Sequence, residues 1–209
     1  MLGSNTIHSL KQKRVYNGEI VAGSLLIPES RKIARLLMGN VDDEKWHRAI
    51  MIDNILQKRS PSTAKREAAL IKNRLGLMKP ELWEMIEKGT SEISTQAVLA
   101  SAIKHSRLLG DFMDRVVRQH WQTFNHKISN TDWANFWEIC SQIDPGILEW
   151  SETTYSKLRQ VVFRILFEAK YLDGTRTLKL QPVTIVPEVR SYLIKNSESY
   201  VLRCMEVTQ

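Results

Sequence analysis

The chain has 209 residues, with 30 Lys+Arg against 23 Asp+Glu for a formal net charge of +7, and 43% of its residues are hydrophobic. That apolar content excludes a disordered chain, and two cysteines, Cys140 and Cys204, far apart and in no CxxC, exclude a disulfide framework and a cysteine-rich zinc site. The longest stretch free of Asp, Glu, Lys and Arg, Ile93 to Ile103, falls short of the ~20 residues a spanning helix needs, and the N-terminal basic residues lead into no apolar core, so a cytoplasmic protein away from membranes is expected.

The charge is uneven. Residues 1–80 hold 15 Lys+Arg and 7 Asp+Glu, residues 81–150 hold 6 and 10, and residues 151–209 hold 9 and 6. A polyanion is therefore drawn to the first third and repelled by the middle.

The periodicity is helical almost throughout. Glu29 to Met38 carries Ile33, Leu36 and Leu37 on one face and stops at Gly39-Asn40. Asp42-Asp43-Glu44 opens a second helix with the apolar stripe Trp46, Ala49, Ile50 and Ile52, followed by Ile55 and Leu56. Ser60-Pro61-Ser62 breaks it, and a third helix is predicted from about Ser62 to Leu75. Lys79-Pro80 starts a short helix ending at Lys88-Gly89. Two longer helices follow, about Ser91 to Leu108 and Asp111 to Asn125, divided at Gly110 with Asp111 as N-cap. Asn130 or Thr131 caps another that Asp144-Pro145-Gly146 ends, and Ser151 begins a long one with Leu158, Val161, Val162, Ile165 and Leu166 buried. Around Asp173-Gly174 and Thr177 to Val186 the pattern predicts a short two-stranded β-ribbon. A further helix runs from Pro187 to about Lys195, and after Ser197 the pattern does not separate helix from strand. The fold class is mostly α, with a helical subdomain over 16–90 that contains a helix–turn–helix and a second over 91–207 that contains the ribbon.

The helix–turn–helix is the most informative feature. On a wheel of the third helix, Ala64, Ala68, Ile71 and Leu75 form a tight buried stripe, and Ser62, Lys65, Arg66, Ala69 and Asn73 lie opposite, with Lys72 on the flank. That outer face holds no acid and begins with the hydroxyls Ser62 and Thr63, where a helix N-terminus favours phosphate. Lys65, Arg66, Asn73 and Ser62 suit a DNA groove, and Arg59, Thr63 and Lys72 suit its phosphates. The competing reading is a surface helix with a solvated basic face. A second candidate nucleic-acid surface comprises Lys157 and Arg159 on the long helix and Arg176 and Lys179 on the ribbon, a winged-helix layout in which Arg164 pairs equally well with an internal acid.

Catalytic patterns are missing: there is no P-loop, GxGxxG, HExxH or GxSxG. His120 and His126 are spaced onto different helical faces, and Glu168-Ala169-Lys170 has no matching acid on a strand for a metal nuclease, so neither an enzyme nor a metal or cofactor is expected. The tryptophans mostly fall on apolar stripes, with Trp133 and Trp137 the alternative as a docking face.

The stretches Ala22 to Arg31, Asn54 to Arg66, Ser106 to Phe112, Leu158 to Leu166 and Leu180 to Val183 resemble, in order and over nearly the whole chain, the BrxA family of bacteriophage exclusion (BREX) defence islands. The resemblance implies a mostly helical, non-enzymatic, DNA-binding component of phage defence with a NusB-like fold. It implies a bacterial protein working beside a methyltransferase, ATPases and a phosphatase-like subunit. It fixes no contact residues; those rest on the wheel. Double-stranded DNA is the expected partner. An adaptor binding other BREX subunits through the acidic middle, or an RNA-binding protein, is the alternative.

Overall fold

Small polar side chains set most of the helix starts. In the computed structural model, which describes residues 14–208, the helices are α1 (Ile27–Met38), α2 (Asp43–His47), α3 (Pro61–Gly76), α4 (Pro80–Lys88), α5 (Ser91–His105), α6 (Arg107–Phe112), α7 (Arg118–Gln122), α8 (Asn130–Ile143), α9 (Glu152–Glu168), α10 (Pro187–Lys195) and α11 (Ser199–Met205). Asp42, Ser60, Thr90, Ser106, Ser129 and Ser151 each accept a hydrogen bond from the amide three residues on, which satisfies a donor the first turn leaves free. At Ser129 the cap is reciprocal, since Asp132 accepts from the Ser129 amide.

Three sequence expectations are corrected. The break after α5 falls at Ser106, not Gly110, and Asp111 is inside α6 rather than at its cap. Ser106 wins because its hydroxyl can cap Leu109, while a Cβ at Gly110 would run into the Tyr200 hydroxyl packed over it. The stripe predicted beyond α2 fails at Ile52, which is 70% exposed. Residues Arg48–Ile52 form a π-helical turn, and its wider winding rotates Ile52 away from the face that Ala49 and Ile50 bury.

The β-ribbon is also absent: among the described residues there is no strand, only isolated antiparallel bridges, Lys127 to Lys179 and Leu172 to Leu180. Leu178 sits at φ 54° in the left-handed region and closes a turn on Gly174, and Pro182 has no amide to donate. Farther on, the Gln96 side chain donates to Thr184 O at 2.9 Å and accepts from Val186 N at 2.8 Å, taking the place of a partner strand.

Burial follows from α5, whose side chains from Ser94 to Ile103 are all buried. Helices α1, α3 and α4 pack against it from the first half of the chain, and α10 and α11 from the second. The buried hydrophobic residues of both halves form one cluster. An aromatic group of Phe112, Trp133, Phe136 and Phe163 fills the region under α8 and α9. Trp133 is fully buried, and Trp137 is half-buried against Trp150 and Tyr155, so this pair belongs to the packing.

A buried carboxylate ties the chain's distant parts together. Asp111 accepts from Tyr16 Oη at 2.9 Å, Tyr200 Oη at 2.7 Å and Arg107 Nε at 2.8 Å. Asp144 accepts from the Val15 and Tyr16 amides at 2.8 and 3.0 Å. Cys140 and Cys204 are free and buried, and burial pushes both thiols up to about 12.

Candidate nucleic-acid interface

The segment read from the sequence as a helix–turn–helix is occupied by α2, its π-helical continuation and α3. Ser60 caps α3 and Pro61 takes the first helical position, one residue earlier than the sequence pattern suggests. The cap changes what this end can bind. Pro61 has no N–H, and the Thr63 amide already donates to Ser60 Oγ at 3.2 Å. Ser62 Oγ lies 2.7 Å from Ser60 Oγ, and half-buried Thr63 accepts from the same hydroxyl, so both predicted phosphate ligands are tied into the cap.

The outer face is as the wheel describes it. Ala64, Ala68, Ile71 and Leu75 are buried, and Ser62, Lys65, Arg66, Ala69, Lys72 and Asn73 are exposed. Glu67, the acid of α3, turns away from this face to Lys58, whose Nζ lies 2.7 Å from both Glu29 and Glu67. Burial alone would lower the Lys58 pKa, but the two carboxylates outweigh it and raise it. Most other cations of the first third are engaged: Arg35 with Glu87, Lys45 with Asp42, Arg48 with Asp53, and Arg31 with backbone carbonyls and Ser94. Arg59, Lys65, Arg66 and Lys72 pair with no acid among the described residues. The free positive charge of the first third therefore gathers on and beside α3.

One residue of α3 was not singled out by the wheel. Arg74 is 2% exposed and donates to Ser24 O at 2.6 Å and Gly23 O at 3.2 Å, and burial lowers its pKa to about 10. Glu168 on α9 accepts from the Leu25 amide at 2.9 Å and from Arg164 Nε at 3.0 Å. The loop from Gly23 to Leu25 is thus clamped between α3 and α9, and a hollow of about 660 Å³ opens over it, lined by Arg66, Lys157 and Arg164 together with the carboxylates of Glu29, Glu67 and Glu168. A second hollow of about 540 Å³ adjoins it, where Lys157, Arg159 and Arg164 face Arg176.

The structure thereby brings Arg66 to the side of Lys157, and Lys157 and Arg159 to that of Arg176. Arg59, Ser62 and Thr63 border neither hollow, and Lys179 stands outside both. Lys179 instead faces Lys127 across its bridge, both exposed, a like-charge pairing that sequence inspection missed because the two belong to separate loops. Lys65, Lys72 and Asn73 border a third hollow of about 270 Å³ against Trp46, with Lys72 Nζ 4.6 Å above the Trp46 ring.

His120 is buried, with Nδ1 2.9 Å from Asn125 O and Nε2 3.2 Å from Asp132. No group of three or more His, Cys, Asp or Glu able to hold a metal occurs among the described residues, and no described helix is long and apolar enough to cross a membrane.

A small, mostly helical protein with an exposed basic face on α3 is the class this geometry defines. The BrxA family model matches residues 14–197. A BREX protein BrxA from Paramagnetospirillum magneticum is 46% identical over 193 residues, covering 92% of this chain and 97% of its own. Its counterpart from Escherichia coli is 30% identical over 94% of this chain and 92% of its own. The crystal structure of an uncharacterized protein from Magnetospirillum magneticum superposes with a TM-score of 0.86 at 44% identity, covering 92% of this chain and 98% of that one. The chain belongs to the BrxA family.

Proposed function

We propose that this protein is a DNA-binding, non-enzymatic component of BREX phage defence in the bacterial cytoplasm, and that it holds duplex DNA by the outer face of α3. One observation carries the reading: Arg59, Lys65, Arg66 and Lys72, which pair with no acid among the described residues, stand on or beside that face while its acid is withdrawn to Lys58. Lys65, Arg66 and Asn73 face the groove, and Arg59 and Lys72 face the phosphates, while Ser62 and Thr63 hold the cap that starts the helix. Ala69 between them allows close approach. With most contacts made to phosphate, sequence preference is weak. Lys157, Arg159 and Arg176 make a second basic lining in the adjoining hollow, and Lys179 stands beyond them.

Fluorescence anisotropy of a duplex of ~30 base pairs at several salt concentrations tests this, wild type against the double variant Lys65→Ala/Arg66→Ala, after matching circular dichroism melts. Neutralising three to five phosphates gives a slope of log K on log salt of about −3 to −5, and the double variant shrinks it by about one to two with a loss of affinity. An unchanged variant moves the surface to α9 and the loop beyond it. A wild type that does not bind near physiological salt overturns the reading, and the adaptor takes its place.

A further inference from the structure

The third hollow asks for a ligand of its own. Its walls are α2 and the π-helical turn on one side and α3 on the other, and it opens on the same side as Lys65, Lys72 and Asn73. Its floor is apolar, made by Ile50, Met51, Ala68 and Ala69. Its flat wall is the half-buried indole of Trp46. Cationic and amide groups stand at the rim, and no acid lines it. Three features narrow what fits. The hollow is mainly apolar with a flat indole wall, and His47, Lys65, Lys72 and Asn73 bring polar groups to it, which suits a planar ring with hydrogen-bonding edges. The Lys72 ammonium covers the Trp46 ring face, a place that an aromatic ring can take over when the ammonium on its flexible stem swings aside. The π-helical turn at Arg48–Ile52 departs from regular winding beside this wall, a distortion found frequently at functional sites.

We infer that the hollow between Trp46 and α3 receives a single unpaired nucleobase, stacked on the indole, with Lys72 moving from the ring face to the adjoining phosphate and the Asn73 amide, both donor and acceptor, hydrogen-bonding the edge of whichever base enters. This rests on the DNA-binding face proposed above and goes beyond it: the preferred ligand is a duplex carrying an unpaired base, not a perfectly paired one. Stacking on an aromatic side chain accepts any base, so the preference is for the defect rather than for its sequence.

The test compares two duplexes of one sequence, one fully paired and one with a single bulged nucleotide at its centre. The bulged duplex is expected to bind about five-fold or more tightly, and Trp46→Leu or Asn73→Ala to bring the ratio of the two affinities toward about one. Because Trp46→Leu could unfold α2, a second measurement uses the wild type alone: 5-iodouracil placed in the bulge is photo-crosslinked and the modified peptide is identified. Attachment to Trp46 or to the facing turn of α3 supports the inference. Equal affinity for both duplexes, or attachment elsewhere, overturns it and leaves the DNA-binding reading standing; absence of binding to either duplex overturns both.

Discussion

Replacing Asp111 by alanine strips two phenols, those of Tyr16 and Tyr200, of their acceptor and leaves the Arg107 guanidinium without its acid. The guanidinium is half exposed and can turn to water, but Tyr16 is 1% exposed and has no such recourse. Tyr200 is partly exposed and keeps the Arg107 carbonyl as a second acceptor, so the orphaned Tyr16 hydroxyl carries most of the cost, about 1–3 kcal/mol. We therefore expect Asp111→Ala to lower the urea midpoint by that equivalent with an unchanged m-value, and Asp111→Asn, which keeps an acceptor oxygen, to lose less than half as much. Equal losses would show that charge rather than hydrogen bonding matters at this position. The sequence pattern alone assigns Asp111 a capping role. Its true partners lie 89 and 95 residues away, beyond any local pattern.

At the scale of the element, α3 shows which features local sequence can carry. Its outward face follows from the 3.6-residue period, and the structure places Lys65, Arg66, Lys72 and Asn73 where that period puts them. Its start is set by the Ser60 hydroxyl; Ser60→Ala should remove about 1 kcal/mol and lower the Tm by about 2–4 °C in a thermal melt followed by circular dichroism. Where period fails, a longer-range group has intervened. The π-helical turn displaces Ile52, and the Gln96 amide occupies the backbone groups of Thr184 and Val186 that a β-partner would have used. Neither can be seen in the flanking residues. The same holds for the candidate site: the α3 face was legible, whereas the Trp46 wall and the Lys127–Lys179 facing pair depend on packing between separate segments.

Across the whole molecule, most acids of the sequence's acidic middle are paired or buried. Glu87 pairs with Arg35, Glu84 with Lys88, Asp114 with Arg118 and Arg203, Asp132 with His120 and Glu149 with Arg14, while Asp111 and Asp144 are buried. Glu81, Glu92 and Glu138 stand exposed. Because one apolar cluster joins both halves, the chain is expected to unfold in a single step, with tryptophan fluorescence and far-ultraviolet circular dichroism tracing coincident urea transitions. Two separated transitions would show halves that fold apart.

The bond network around Asp111 also sets a schedule. Tyr16 emerges early from a translating ribosome, its amide acceptor Asp144 follows much later, and Tyr200, which shares Asp111 with it, comes later still. At about 5–20 residues per second, the interval from Tyr16 to Tyr200 is roughly 10–40 seconds. For the first part of that time the Tyr16 phenol has no Asp111 to donate to, and for the rest Asp111 lacks Tyr200. Helix α11 acts as a latch, closing a network whose other members are already made.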